Sequence, residues 1–151
     1  MISNATVLLN DFIELEDGKI TIFGSRFKSF WKNWMMTGYD KDAQSDWSSL
    51  TGPVSKGERK VDILLTHQPP DFKESISKRF FRRGSSSLTE ALDIVKPAVH
   101  LFGHNHDIYG VKYATDYKLK QDIQTTFISA CSLDAYENMR KVIVFDYPIQ
   151  K

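Results

Sequence analysis

Of the four histidines in this chain of 151 residues, three stand where imidazole could do chemistry. His67 follows the apolar run Val61-Asp62-Ile63-Leu64-Leu65 and Thr66, and Gln68-Pro69-Pro70 comes directly after it. His104 and His106 sit in Gly103-His104-Asn105-His106, just past the apolar Val99-His100-Leu101-Phe102. Neutral imidazole binds Zn, Fe or Mn well. Alternate side chains of an extended segment point the same way, and a turn can splay a His-x-His pair toward two neighbouring ions. Gly103 is expected to let the backbone approach closely and adopt an unusual conformation. A lone histidine is more often a hydrogen-bonding surface residue than a ligand, and His100, inside its strand, is assigned that role. A bare His-x-His is a weak sign of metal. The weight comes from the whole series: apolar strand, Thr-His-x-Pro-Pro, helix, apolar strand, Gly-His-x-His.

These residues need elements that bring them together. Continuous apolar runs such as 61–65 and 99–102 suit strands covered on both faces. Between them, Ser86 or Ser87 can cap a helix, with Glu90 at capping-box spacing from Ser87. Leu88, Leu92 and Val95 give that helix an apolar face, and Pro97 follows its end. A strand–helix–strand crossover would place both strand ends, with His67 and His104, on one edge of a sheet. Ligands collect at the carboxyl ends of strands in such sheets.

Elsewhere, residues 5–9 and 20–24 read as strands, with Asp17-Gly18 as a turn between them. Residues 25–60 read as a long, partly helical excursion, with Gly52-Pro53 and Lys56-Gly57 as breakers. Residues 108–115, 125–130 and 141–146 read as strands in antiparallel array. No internal repeat or linker divides the chain. Trp31, Trp34 and Trp47 either wall a pocket or pack in a core or lid. Arg79, Arg82 and Arg83 either steer a phosphate ester or form a solvated basic loop.

Composition bounds the function. The length suits one domain, and 41% hydrophobic with 26% charged residues is the mix of a soluble globular protein. A net charge of +1 gives no global field for nucleic acid or an anionic membrane. Any attraction to phosphate must be local. The single cysteine, Cys131, cannot form an intrachain disulfide and is expected to be an inert core thiol. Asn10, Asp11 and Glu14 interrupt the first apolar stretch, which is unlike a secretory signal. No run approaches the ~18 apolar residues of a membrane span. A cytoplasmic location is expected.

The segments 61–70 and 100–106 resemble the second half of the calcineurin-like metallophosphoesterases, and most of all the metallophosphoesterase domain-containing proteins. The resemblance extends to residues 6–30, to Phe127-Ile128-Ser129-Ala130-Cys131-Ser132 and to Val142-Ile143-Val144-Phe145-Asp146. It implies an α/β fold, the C-terminal half of a four-layer αββα sandwich with a mixed sheet. Two divalent ions (Mn, Fe or Zn) sit between the sheets in that family. By resemblance, His67 and His104 would bind one ion and His106 the other. A metal-bound water would attack phosphorus in line, most plausibly in a phosphodiester.

The family's Asp-x-His, Gly-Asp and Gly-Asn-His motifs do not occur in this sequence. Residues 1–151 therefore read as a single partial domain whose N-terminal half, with the bridging carboxylate, is absent. Without that carboxylate, two cations about 3.5–4 Å apart would repel with little to hold them. At most one ion is expected here, and no hydrolysis by the chain alone. Gln68, Arg26 and Ser129 depart from the family pattern near the site, which leaves substrate preference open. The alternative reading is a non-catalytic remnant or binding module that keeps at most one ion. A phosphate-ester small molecule is the expected partner if the site is active, with neither nucleic acid nor membrane. An exposed sheet face and edge would favour self-association.

Overall fold

In a computed structural model, the chain is described over residues 4–25, 47–72, 84–114 and 124–149. Trp31, Trp34, Arg26, Arg79, Arg82 and Arg83 lie outside those residues. Within them, two helices and six strands follow in the order β1 (Asp11–Leu15), β2 (Ile20–Gly24), α1 (Ser48–Ser55), β3 (Ile63–Leu65), α2 (Ser86–Val95), β4 (Val99–Phe102), β5 (Gly110–Tyr113) and β6 (Thr126–Ser129). The strands form one sheet in the order β1-β2-β3-β4-β6-β5. The four inner strands run parallel, and the edge strands β1 and β5 run antiparallel to their neighbours. The protein is thus an α/β fold with a mixed sheet, as expected.

The first strand lies later than residues 5–9. Asn10 takes φ +59° and donates its N–H to the Gly24 carbonyl, so the chain turns there and the ladder opens with Asp11 opposite Gly24. Leu8 packs onto Gly24 so closely that a Cβ there would lie 2.4 Å from the Leu8 Cβ. Glu16, Asp17 and Gly18 all have positive φ and close the hairpin at the expected turn.

Alternation along the strands sorts two apolar faces. Phe23, Leu64, Phe102 and Phe127 point to one side and pack with Trp47, Leu50, Phe72 and the apolar stripe Leu88, Ala91, Leu92 and Val95 of α2. Ile20, Ile63, Val99 and Ile128 point to the other, where Ile143 and Tyr147 rest on them. Among the described residues, helices cover only the first face. Trp47 belongs to this core and donates its indole N–H to Ser87 Oγ at 3.2 Å, so it packs rather than lining a pocket. Cys131 is free and buried, as expected.

Three further expectations need correction. Helix α1 runs through Gly52-Pro53, because burying Leu50 and packing Val54 on the core outweigh the ladder bond that Pro53 cannot make. The cap of α2 is Ser85, one residue before Ser86: its φ/ψ of −92°/122° is extended and its Oγ accepts from the Leu88 N–H. Residues 141–146 form no strand; they cross the second face without ladder bonds to the described residues, with Ile143 inward and Val142 and Val144 outward.

Candidate metal centre

The parallel strands β3 and β4 stand side by side, with Leu65 opposite Leu101. Their carboxyl ends therefore deliver His67 and His104 to one edge, as the crossover through α2 requires. Pro69-Pro70 turns the chain after His67, and Gly84 holds the return of the chain against it. A Cβ on Gly84 would fall 1.9 Å from the Pro70 carbonyl oxygen, so only glycine fits. Ser85 donates its N–H to the Pro69 carbonyl and accepts from the Asp71 N–H, which ties the start of α2 to the His67 turn.

His67 Nε2 and His104 Nδ1 are 3.1 Å apart, with ring centroids at 4.9 Å and planes at 66°. The Gly103 N–H donates to the His67 carbonyl at 3.1 Å and joins the two turns through the backbone. The unusual backbone falls on His104 itself, at φ +64°, and not on Gly103 as expected. Histidine is among the residues that tolerate this left-handed region best.

His106 faces differently. Its Nδ1 lies 3.1 Å from the Asp134 carbonyl oxygen. A carbonyl can only accept, so Nδ1 carries the proton and Nε2 is the nitrogen left for a ligand. That arrangement suits a metal-ligating histidine, whose other nitrogen usually donates to a carbonyl or carboxylate. Arg140 donates to the His106 and Ile108 carbonyls at 2.7 and 3.0 Å, pinning the turn to the C-terminal segment. Its guanidinium also lies over the Tyr109 ring. Asn105 is buried between the two histidines, where its Oδ1 accepts from the Asp107 N–H.

His100 is not at the surface. It is fully buried against Phe102 and Phe127, and burial pushes its pKa down to about 3. Its Nε2 meets Thr66 Oγ1 at 2.8 Å, beside His67. Among the residues that departed from the family pattern, Gln68 accepts the Thr66 hydroxyl on its carbonyl and Ser129 donates Oγ to the Ile108 carbonyl.

The donor set can be tested against a metal ion. Two imidazole nitrogens bound at about 2.0–2.1 Å to one ion, with angles between octahedral and tetrahedral, lie about 2.9–3.3 Å apart. The His67–His104 separation of 3.1 Å falls inside that range. Among the described residues, no group of three or more His, Cys, Asp or Glu side chains is gathered to hold an ion. The residues present fit two ligands of one ion and do not fill its shell.

Thr66, His100 and Arg140 were not singled out from sequence as part of this site. Thr66 adjoins His67, which was a usable signal. Arg140 acts from a segment 34 residues beyond His106 and left none.

No protein-family profile matches the chain. It is 31% identical over 96% of its length to metallophosphoesterase domain-containing protein 1 of Homo sapiens, and equally to that of Mus musculus. A UPF0046 protein of Caenorhabditis elegans is 28% identical over 99% of the chain. The chain spans only 43% of the mammalian proteins and 34% of the nematode one. No helix among the described residues is long and apolar enough to cross a membrane. With its strand–helix–strand unit and paired histidines in the expected order, the chain matches the C-terminal half of the metallophosphoesterase domain-containing proteins.

Proposed function

We propose that this chain provides one side of a metal-dependent phosphoesterase site, and that the chain alone is a half-site without turnover. The observation that carries the reading is the 3.1 Å approach of His67 Nε2 to His104 Nδ1 at the edge where β3 and β4 end. His67 and His104 would hold one divalent ion (Mn, Fe or Zn), and His106 would face a second through Nε2. Such ions, when bound, acidify a water and neutralise charge on a phosphoryl oxygen. The chain's own residues orient the ligands: Gly103 holds the His67 carbonyl, and Arg140 and the Asp134 carbonyl hold His106. A complete site needs carboxylate ligands that relatives of more than twice this length have room to supply. The substrate class is a small phosphate ester, with a phosphodiester preferred.

A binding or remnant role is the second reading, favoured by the gathering of two ligands and no third among the described residues. Zinc titration with competition separates the two from a chance approach of side chains. The expected result is one zinc per chain, weakened at least about tenfold in His104→Ala and in His67→Ala. Equal affinity in all three proteins would reject the metal reading altogether.

A further inference from the structure

His100 is a buried imidazole outside the His67–His104 pair, yet it is wired to the turn that carries His67. Thr66 Oγ1 makes two short contacts, to the Gln68 carbonyl at 2.6 Å and to His100 Nε2 at 2.8 Å. A hydroxyl has one hydrogen, and a carbonyl cannot donate. Both contacts are satisfied only when Thr66 donates to Gln68 and His100 donates from Nε2–H to Thr66. The tautomer follows from the contacts. Nδ1 then bears the lone pair, and it is buried without a hydrogen-bond partner among the described residues. An unpartnered buried acceptor is costly, so an apolar residue would suit the core better if packing were all that mattered.

The wiring has a geometrical result. The Thr66 hydroxyl closes a turn across His67, from the residue before it to the residue after it. The same turn is fastened to the neighbouring strand by Thr66 N–H to the Leu101 carbonyl at 3.0 Å and by Gly103 N–H to the His67 carbonyl at 3.1 Å. Strand β4 therefore carries His104 at its end and, four residues earlier, the group that sets the partner turn.

We propose that His100 is a positioning residue: through Thr66 it locks the backbone on both sides of His67 so that the His67 and His104 nitrogens converge. This rests on the metal reading above for its purpose, but the locking itself is independent of any ion. Thr66→Val removes the hydroxyl at nearly constant shape, Thr66→Ser keeps it, and His100→Gln keeps an N–H donor where His100→Phe has none.

The test combines amide hydrogen exchange without metal and zinc affinity by competition. The reference amide is Ala130, which donates to the Phe102 carbonyl in the same sheet and should report general loosening. In Thr66→Val and His100→Phe, Gly103 exchange should rise by about tenfold relative to Ala130, and zinc should bind about 10–100-fold more weakly, as for other groups that orient a ligand. Thr66→Ser should stay within about threefold of wild type on both readouts, with His100→Gln between. A parallel rise at Gly103 and Ala130, or no change at either, would overturn the proposal and leave His100 a core residue only. Should wild type take up no zinc, the metal reading fails, and the exchange ratio still decides whether His100 positions the turn.

Discussion

The imidazoles divide the work between exposure and burial. His67 is exposed and His104 half-buried, so both nitrogens can reach an ion that arrives from solvent. His100 lies four residues before His104 and is sealed in the core, with a pKa of about 3 against 6.5 for a free imidazole. That difference sets a pH dependence with a definite sign. Below about pH 6.5 the unfolded chain binds a proton at His100 that the folded chain refuses, so stability falls as pH falls. The slope from this one residue is about 1.4 kcal/mol per pH unit between roughly pH 6 and 4.5. Asp62, whose carboxyl is held low by Lys60, the Thr21 N–H and the Tyr147 hydroxyl, contributes stability that is lost only at lower pH, as it approaches protonation. Urea denaturation across that range should show His100→Phe with a slope shallower by about that amount. An unchanged slope would mean that His100 titrates freely in the fold. The burial of His100 was legible in principle. Val99 and Leu101 point to one face, so His100 and Phe102 must point to the other, and a continuous apolar strand is covered on both. The tautomer was not legible, because it depends on a Thr66 hydroxyl that only the sheet brings near.

At the level of elements, the site is made by a crossover and its ties. Helix α2 is held at its start by Ser85, whose Oγ caps the Leu88 N–H while its backbone bonds Pro69 and Asp71. The cap therefore joins the His67 turn to the helix as well as ending an orphan donor. Ser85→Ala should cost about 1 kcal/mol of stability, and Ser86→Ala, at an exposed position, no more than about 0.5 kcal/mol. The reverse order in thermal or urea melts would place the cap at Ser86. The sequence spacing placed this helix to within a residue, since Leu88, Leu92 and Val95 mark its buried stripe. The exact cap could not be read from three successive serines, among which Ser85 takes the extended φ/ψ of a cap and turns its Oγ to the Leu88 N–H. The same limit applies to strands. The pattern Val142-Ile143-Val144 is strand-like by alternation, but a strand needs a ladder partner, and none of the described residues supplies one. The pattern for β1 was displaced because the left-handed Asn10 ends the extended run before it.

At the scale of the molecule, the described residues put helices over one face of the sheet and a single passing segment over the other. On that second face Leu15 is 40% exposed, Val111 45% and Tyr113 60%, and above it Val142 and Val144 are 88% and 87% exposed. A monomer seldom leaves so much apolar surface open unless something binds there. In the four-layer sandwich that the resemblance implies, this is the face on which the other sheet would lie. We propose that the chain by itself pairs this face with a second copy. Light scattering should show concentration-dependent association, reduced by Val142→Lys with Val144→Lys; a monomer at all concentrations would reject it. The fold class and the order of the histidines were legible because they reside in contiguous motifs. The coverage of the second face was not, because it depends on residues of other elements.

The most direct measurement of the half-site is hydrolysis of bis-p-nitrophenyl phosphate with added manganese, by this chain and by His104→Ala. Absence of turnover in both, alongside His104-dependent zinc binding, is the expected result. Hydrolysis by the chain alone that His104→Ala abolishes would contradict it, because the ligands present would then be sufficient for catalysis.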